Sequence, residues 1–85
     1  MTKSYEELDR CIEQARTRRM LPPAPARRAI RVQACMTQHE FGEVVGTTRA
    51  SISRYEDGSR EPRGEIRERY ALLLERLRLE VIAAP

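Results

Sequence analysis

The run from Thr37 to Gly58, TQHEFGEVVGTTRASISRYEDG, leaves this chain few ways to fold. It reads as two short helices joined by a tight turn. Thr37 caps the first helix, and Glu40, three residues on, completes a capping box. Phe41, Val44 and Val45 supply an apolar face at helical spacing. Gly46 stops that helix, because a residue without Cβ enters the left-handed conformation at little cost. Thr47 or Thr48 caps the second helix. Ile52 and Tyr55, three apart, share its buried side, and Gly58 ends it.

Two helices this short pack only if their backbones come close. Gly42, four residues after Gln38 and four before Gly46, is placed to allow it. A glycine inside a helix costs about 1 kcal/mol against alanine, so a packing reason is expected. The outward residues of the second helix are Thr48, Arg49, Ala50, Ser53 and Arg54. They are small, polar or guanidinium-bearing, which suits base edges better than a core.

These features together resemble the lambda-repressor and Cro-type helix-turn-helix DNA-binding family. The matching positions are Gln38, Gly42, Gly46, the apolar Phe41, Val45, Ile52 and Tyr55, and the ending ISRYEDG. The resemblance runs roughly from Ala26 to Leu77. Gly42 stands where the family usually has alanine, and Thr47 where it has valine. The resemblance implies that Thr48, Arg49, Ala50 and Arg54 face the bases of double-stranded DNA. An Arg there can fork onto guanine O6 and N7, and Ala50 can touch a thymine methyl. It also implies phosphate contacts from Gln38 and from the loop carrying Arg60 and Arg63. Ser51 and Ser53 are phosphate contacts or plain surface. His39 is read as an exposed polar residue.

Upstream, IRVQACMTQ resembles the family's approach to this motif, in which an Arg precedes a Gly by four residues. Here Arg31 is the Arg, and Cys35 takes the glycine's place, so a strained turn is expected there. The resemblance implies an ion pair between Arg31 and Glu56, with Arg31 also within reach of a phosphate. A solvated Arg31 is the alternative.

The rest of the chain is divided by composition. Residues 1–20 hold an amphipathic helix over 4–19, capped by Ser4 and Glu7, with Leu8, Ile12 and Ala15 as its stripe. Residues 21–25 are a Pro-rich spacer. Residues 26–85 are the DNA-binding domain, opening with a helix over 26–35. After Pro62 one unbroken helix to Glu80 is expected, with Ile66, Tyr70, Leu73, Leu74, Leu77 and Val81 along one side. The tail at 83–85 is expected to fray. The architecture expected is all-α: a small helical bundle with an extra N-terminal helix and a long C-terminal one.

A chain of 85 residues forms one domain, and at this size it buries only about 60–65% of its unfolded surface. A second copy is therefore expected, with Leu73, Leu74, Leu77 and Val81, or Leu8 and Ile12, at the interface. The N-terminal helix packs either on its own domain or, the preferred reading, across that interface. Fifteen of the sixteen Lys and Arg residues are Arg; Arg suits phosphate and guanine, but a GC-rich genome would give the same bias. Cys11 and Cys35 lack metal-ligand spacing and read as reduced, half-buried thiols. No leader or membrane span is evident, so a cytoplasmic location is expected. One His, no paired acids in a plausible cleft and no glycine-rich phosphate loop argue against an enzyme, a metal or a cofactor. The expected function is a transcriptional regulator, by default a repressor, bound as a homodimer to a palindromic operator. The alternative is an antitoxin-like module that holds a protein partner and represses its own gene.

Overall fold

The apolar periodicity of the sequence becomes a set of short helices wrapped round three aromatic side chains. A computed structural model describes residues 5–19 and 21–83. Helix α1 spans Tyr5–Arg19, α2 Ala24–Gln33, α3 Gln38–Val45, α4 Arg49–Asp57 and α5 Gly64–Leu77. The chain runs from α5 straight into a π-helical segment, Arg78–Ile82. The fold is all-α, with no strand among the described residues.

Each of α2 to α5 contributes its inward stripe to one core. Ile30 comes from α2, Phe41 and Val45 from α3, Ile52 and Tyr55 from α4, Tyr70 and Leu74 from α5. Leu21, Met36, Ile66, Leu73, Leu77 and Ile82 close its edges. Tyr70 is the hub: its ring meets Phe41 edge-on with centroids 6.0 Å apart and lies 5.5 Å from Tyr55. Such ring pairs contribute about 1 kcal/mol each beyond the area they bury. Among the described residues the buried Tyr70 hydroxyl has no hydrogen-bond partner, and burial pushes its pKa upward.

Several expectations change. Val44 is exposed rather than inward: Phe41 and Val45 fill the core, while Val44 lies at the surface beside the outer residues of α5. Leu74, placed at a dimer interface by the sequence, is 1% exposed and belongs to the chain's own core. The long C-terminal helix is continuous past Glu80, but its last turn is π rather than α. Helix α2 starts at Ala24 and ends at Gln33, two residues earlier than expected at each end. Pro25 therefore lies inside the first turn, where its missing N–H would have had no helical partner anyway. The spacer is correspondingly short, and Leu21 within it packs against the core. Both cysteines are exposed, not half-buried.

Helix α1 lies against α5. Its apolar residues Tyr5, Leu8 and Ile12 stay largely exposed. Ser4, its expected cap, and Ala84 and Pro85 of the expected frayed tail lie outside the described residues. Among the described residues, no helix is long and apolar enough to cross a membrane.

Candidate nucleic-acid interface

Helix α3 begins with a complete capping box. Thr37 Oγ1 accepts from the Glu40 amide at 3.1 Å, and the Thr37 amide donates to Glu40 Oε1 at 2.9 Å. That amide holds the Glu40 carboxyl below its ordinary range. The helix ends at Gly46 with φ +91°, in the left-handed region. Thr48, not Thr47, then caps α4: its Oγ1 accepts from the Ser51 amide at 3.1 Å and donates to Ser51 Oγ at the same distance. Gly42 sits under this turn. A Cβ there would lie 2.8 Å from the Thr47 carbonyl oxygen and 3.3 Å from the Arg49 nitrogen. The first turn of α4 thus rests on the bare backbone of α3, which fixes the angle at which α4 leaves the domain.

The other face of α4 is tied down by Glu56. Its carboxylate is buried, and Arg31 forks onto it: Nε donates to Oε2 and Nη2 to Oε1 at 3.0 Å. Gln38 Nε2 donates to Oε1 at 3.1 Å. Arg31 Nη1 donates to the Met36 carbonyl at 2.9 Å. One carboxylate therefore joins the C-terminal half of α2, the start of α3 and the end of α4. Its hydrogen bond raises the Arg31 pKa further. Arg31 is 11% exposed and turns most of its guanidinium inward, and Gln38 gives one of its two amide N–H donors to Glu56. Both were expected at phosphates. Their side chains serve this junction first.

Helix α2 reaches that junction through an uncommon turn. The Met36 amide donates to the Arg31 carbonyl at 3.1 Å and the Cys35 amide to the Val32 carbonyl at 3.0 Å. This bond pair is the Schellman arrangement, which needs a left-handed residue after the helix. Cys35 fills that place with φ +58°, the only positive φ outside glycine among the described residues.

With α4 held so, its remaining surface is free. Arg49, Ala50 and Arg54 are exposed, Thr48 is exposed beside its capping bond, and Ser51 and Ser53 are half-buried. Arg49 lines a cleft at the start of α4 together with Arg28, Gln38 and His39. His39 pairs with Glu43 one turn along α3. Ser51 and Tyr55 line a second cleft with Thr47, Ser59, Arg60 and Arg63. Arg60 and Arg63 are exposed on either side of buried Pro62. The Arg60 amide donates to the Arg54 carbonyl at 3.3 Å, and the Ser59 amide to Asp57 Oδ1 at 2.8 Å. The Ser59 hydroxyl first, and its amide second, hold the Asp57 carboxyl below its ordinary range. Cations thus border both clefts beside α4, and the expected base-facing residues are gathered on its outer side. Among the described residues no cluster of His, Cys, Asp or Glu could hold a metal ion.

One residue of this region escaped the sequence reading. Arg27 is 5% exposed and buried between α2, the end of α4 and the loop before α5. A signal existed: it falls three residues before Ile30 and four before Arg31, on their side of α2. Residue type argues the other way, because arginine so seldom lies inside.

A family model described as helix-turn-helix matches residues 28–80. The chain belongs to the helix-turn-helix family, of the lambda-repressor and Cro-like type. No curated protein and no solved structure matches it significantly. The family is a DNA-binding regulatory one and not typically enzymatic. This helix-turn-helix protein is accordingly a DNA-binding regulator of transcription.

Proposed function

We propose that this helix-turn-helix protein acts as a repressor, bound as a homodimer to a palindromic operator. The observation that carries the reading is the pairing of opposite features in α4. Its inner side is fixed by Gly42, Thr48 and Glu56, while Arg49 and Arg54 are exposed on its outer side. A recognition helix must be both held and bare, with its N-terminal half against the bases. Thr48, Arg49, Ala50 and Arg54 read bases; Arg60, Arg63 and the amides of their loop hold phosphates, joined by Ser51 and Ser53.

Support for a second copy comes from an apolar cleft away from α4. Val44, Leu72, Leu73, Leu77 and Val81 line it, with Arg69, Arg76 and Glu80 around them. Leu73, Leu77 and Val81 fit the proposed interface; Leu74 does not, being internal. Half-sites would then lie about one helical turn apart. Repression by steric blocking needs no further surface on the protein.

Selection of bound duplexes from a random pool tests this reading directly. A two-fold symmetric site bound at roughly 10⁻⁸ to 10⁻¹¹ M is the expected result. On that site Arg49→Ala weakens binding by about 1–3 kcal/mol and relaxes one base preference. Intact binding and unchanged preference in Arg49→Ala would place the reading surface elsewhere.

The exposed apolar residues of α1, Tyr5, Leu8 and Ile12, favour one second reading. In it the protein is an antitoxin-like module whose α1 holds a protein partner. A partner that copurifies with the full chain and is lost from a Leu8→Ser, Ile12→Ser double variant would select this reading over the first.

A further inference from the structure

The loop between α4 and α5 contains the sequence Arg60-Glu61-Pro62-Arg63. Its two arginines are exposed and its middle pair is anchored. Pro62 is buried, and Glu61 meets Arg27. Arg27 Nη2 donates to Glu61 Oε2 at 3.0 Å and Nη1 to Oε1 at 3.3 Å. The same guanidinium donates from Nη1 to the Tyr55 carbonyl at 3.2 Å and from Nε to the Pro22 carbonyl at 2.7 Å. Tyr55 lies in the last turn of α4, whose carbonyls lack helical donors, so a cation there is doubly favoured. Gly58, which ends α4, comes within 3.7 Å of Ala24 Cβ when given a side chain. The first turn of α2 thus abuts the end of the recognition helix and the loop that follows it.

Glu61 is otherwise poorly placed. Its side chain is 54% exposed, between two arginines proposed to hold phosphate. A carboxylate in such a loop repels DNA, and its presence calls for a compensating role. We infer that Arg27 and Glu61 form a brace that positions the phosphate-holding loop, so that Arg60 and Arg63 meet the DNA backbone only while Glu61 is clamped to the buried Arg27. The inference rests on the proposed phosphate contacts of this loop. It makes Arg27 and Glu61 positioning residues that need touch no DNA themselves. A bidentate fork fits the task because it fixes direction as well as distance.

The sign of the effect separates this role from plain electrostatics. Removing the Glu61 charge alone strengthens binding; releasing the loop weakens it. The probe is a fluorescein-labelled random-sequence duplex of about 20 base pairs, long enough for several phosphate contacts. Anisotropy titrations of the full chain are run over a salt series. For Glu61→Ala the brace predicts binding weaker by about 3- to 10-fold and a salt slope flatter by about 1. Glu61→Gln keeps one acceptor for the fork and falls between Glu61→Ala and the parent. In an Arg60→Ala, Arg63→Ala background, already weakened, Glu61→Ala has no further weakening effect. Melting temperatures identify any variant that fails to fold, and Glu61→Gln carries the test if Glu61→Ala does. Tighter binding by both Glu61 variants, with an unchanged slope, overturns the brace. If Arg60→Ala, Arg63→Ala binds like the parent with the same slope, the loop does not hold phosphate, and the underlying reading fails first.

Discussion

The centre of this molecule and its two ends are built on different terms. Between Arg27 and Glu61 nearly every turn has a named fastener: a capping box, a Schellman turn, a glycine crossing and a carboxylate shared by three helices. At the ends the helices leave large apolar side chains in solvent, Tyr5, Leu8 and Ile12 in α1 and Leu72, Leu79 and Val81 beyond the core. The centre is specified by directional contacts that allow one geometry. The ends rely on apolar surface, which is non-directional and awaits cover. The contrast shows where the protein needs accuracy. On the proposed reading, α4 is the element whose displacement would cost register against base edges.

The comparison breaks most readily at Glu56. Arg31→Ala leaves a buried carboxylate with Gln38 as its remaining side-chain donor among the contacts described. Losing one partner of a buried pair costs about 3 kcal/mol or more. Thermal denaturation should show that loss, together with weaker DNA binding. An Arg31→Ala protein melting like the parent would remove the junction from the centre's fasteners. Gly42→Val comes next. Any side chain there meets the Thr47 carbonyl, so α3 and α4 must part, at about 2–3 kcal/mol. Denaturant titration measures this, and a smaller loss would mean that the crossing yields.

Thr37→Ala should cost about 1 kcal/mol, the usual worth of a helix cap. The same cap has a pH signature. The carboxyl of Glu40 is held below its usual 4.5, so its contribution is complete above that value and is lost as pH falls through the lower folded value. The difference in melting temperature between the parent and Glu40→Gln should be largest near neutrality and narrow as the medium is acidified below pH 4.5. The smallest effect belongs to the periphery. Leu8→Ser or Ile12→Ser should change stability by less than about 0.5 kcal/mol in dilute solution, as exposed positions do. A larger loss that grows with protein concentration would show that α1 is covered by a second copy.

The sequence was most legible where local chemistry decides. Thr37, Glu40, Gly42, Gly46 and Gly58 act within a few residues of themselves, and each determines its turn almost regardless of the rest of the chain. Arg31 and Glu56 were paired by resemblance to the family rather than by any local rule, since they come together only after three helices have packed. Val44 and Leu74 were misread for one reason. A stripe at helical spacing says which residues share a side, not which neighbour that side meets, and both α3 and α5 have neighbours on more than one side. Arg27 was hidden because its partners, Pro22, Tyr55 and Glu61, come from three separate segments. The π-helical end of the C-terminal helix left no mark in a periodicity that fits α and π nearly as well over a single turn.

Cys35 offers a practical opening. Its thiol is exposed at the turn closing α2, in the cleft that Arg49 also borders. With Cys11 changed to serine, a maleimide fluorophore would attach at this one sulfur, a few side chains from the proposed reading surface. Arrival of a duplex would then register as a change in emission, turning an oddity of helix termination into a built-in reporter.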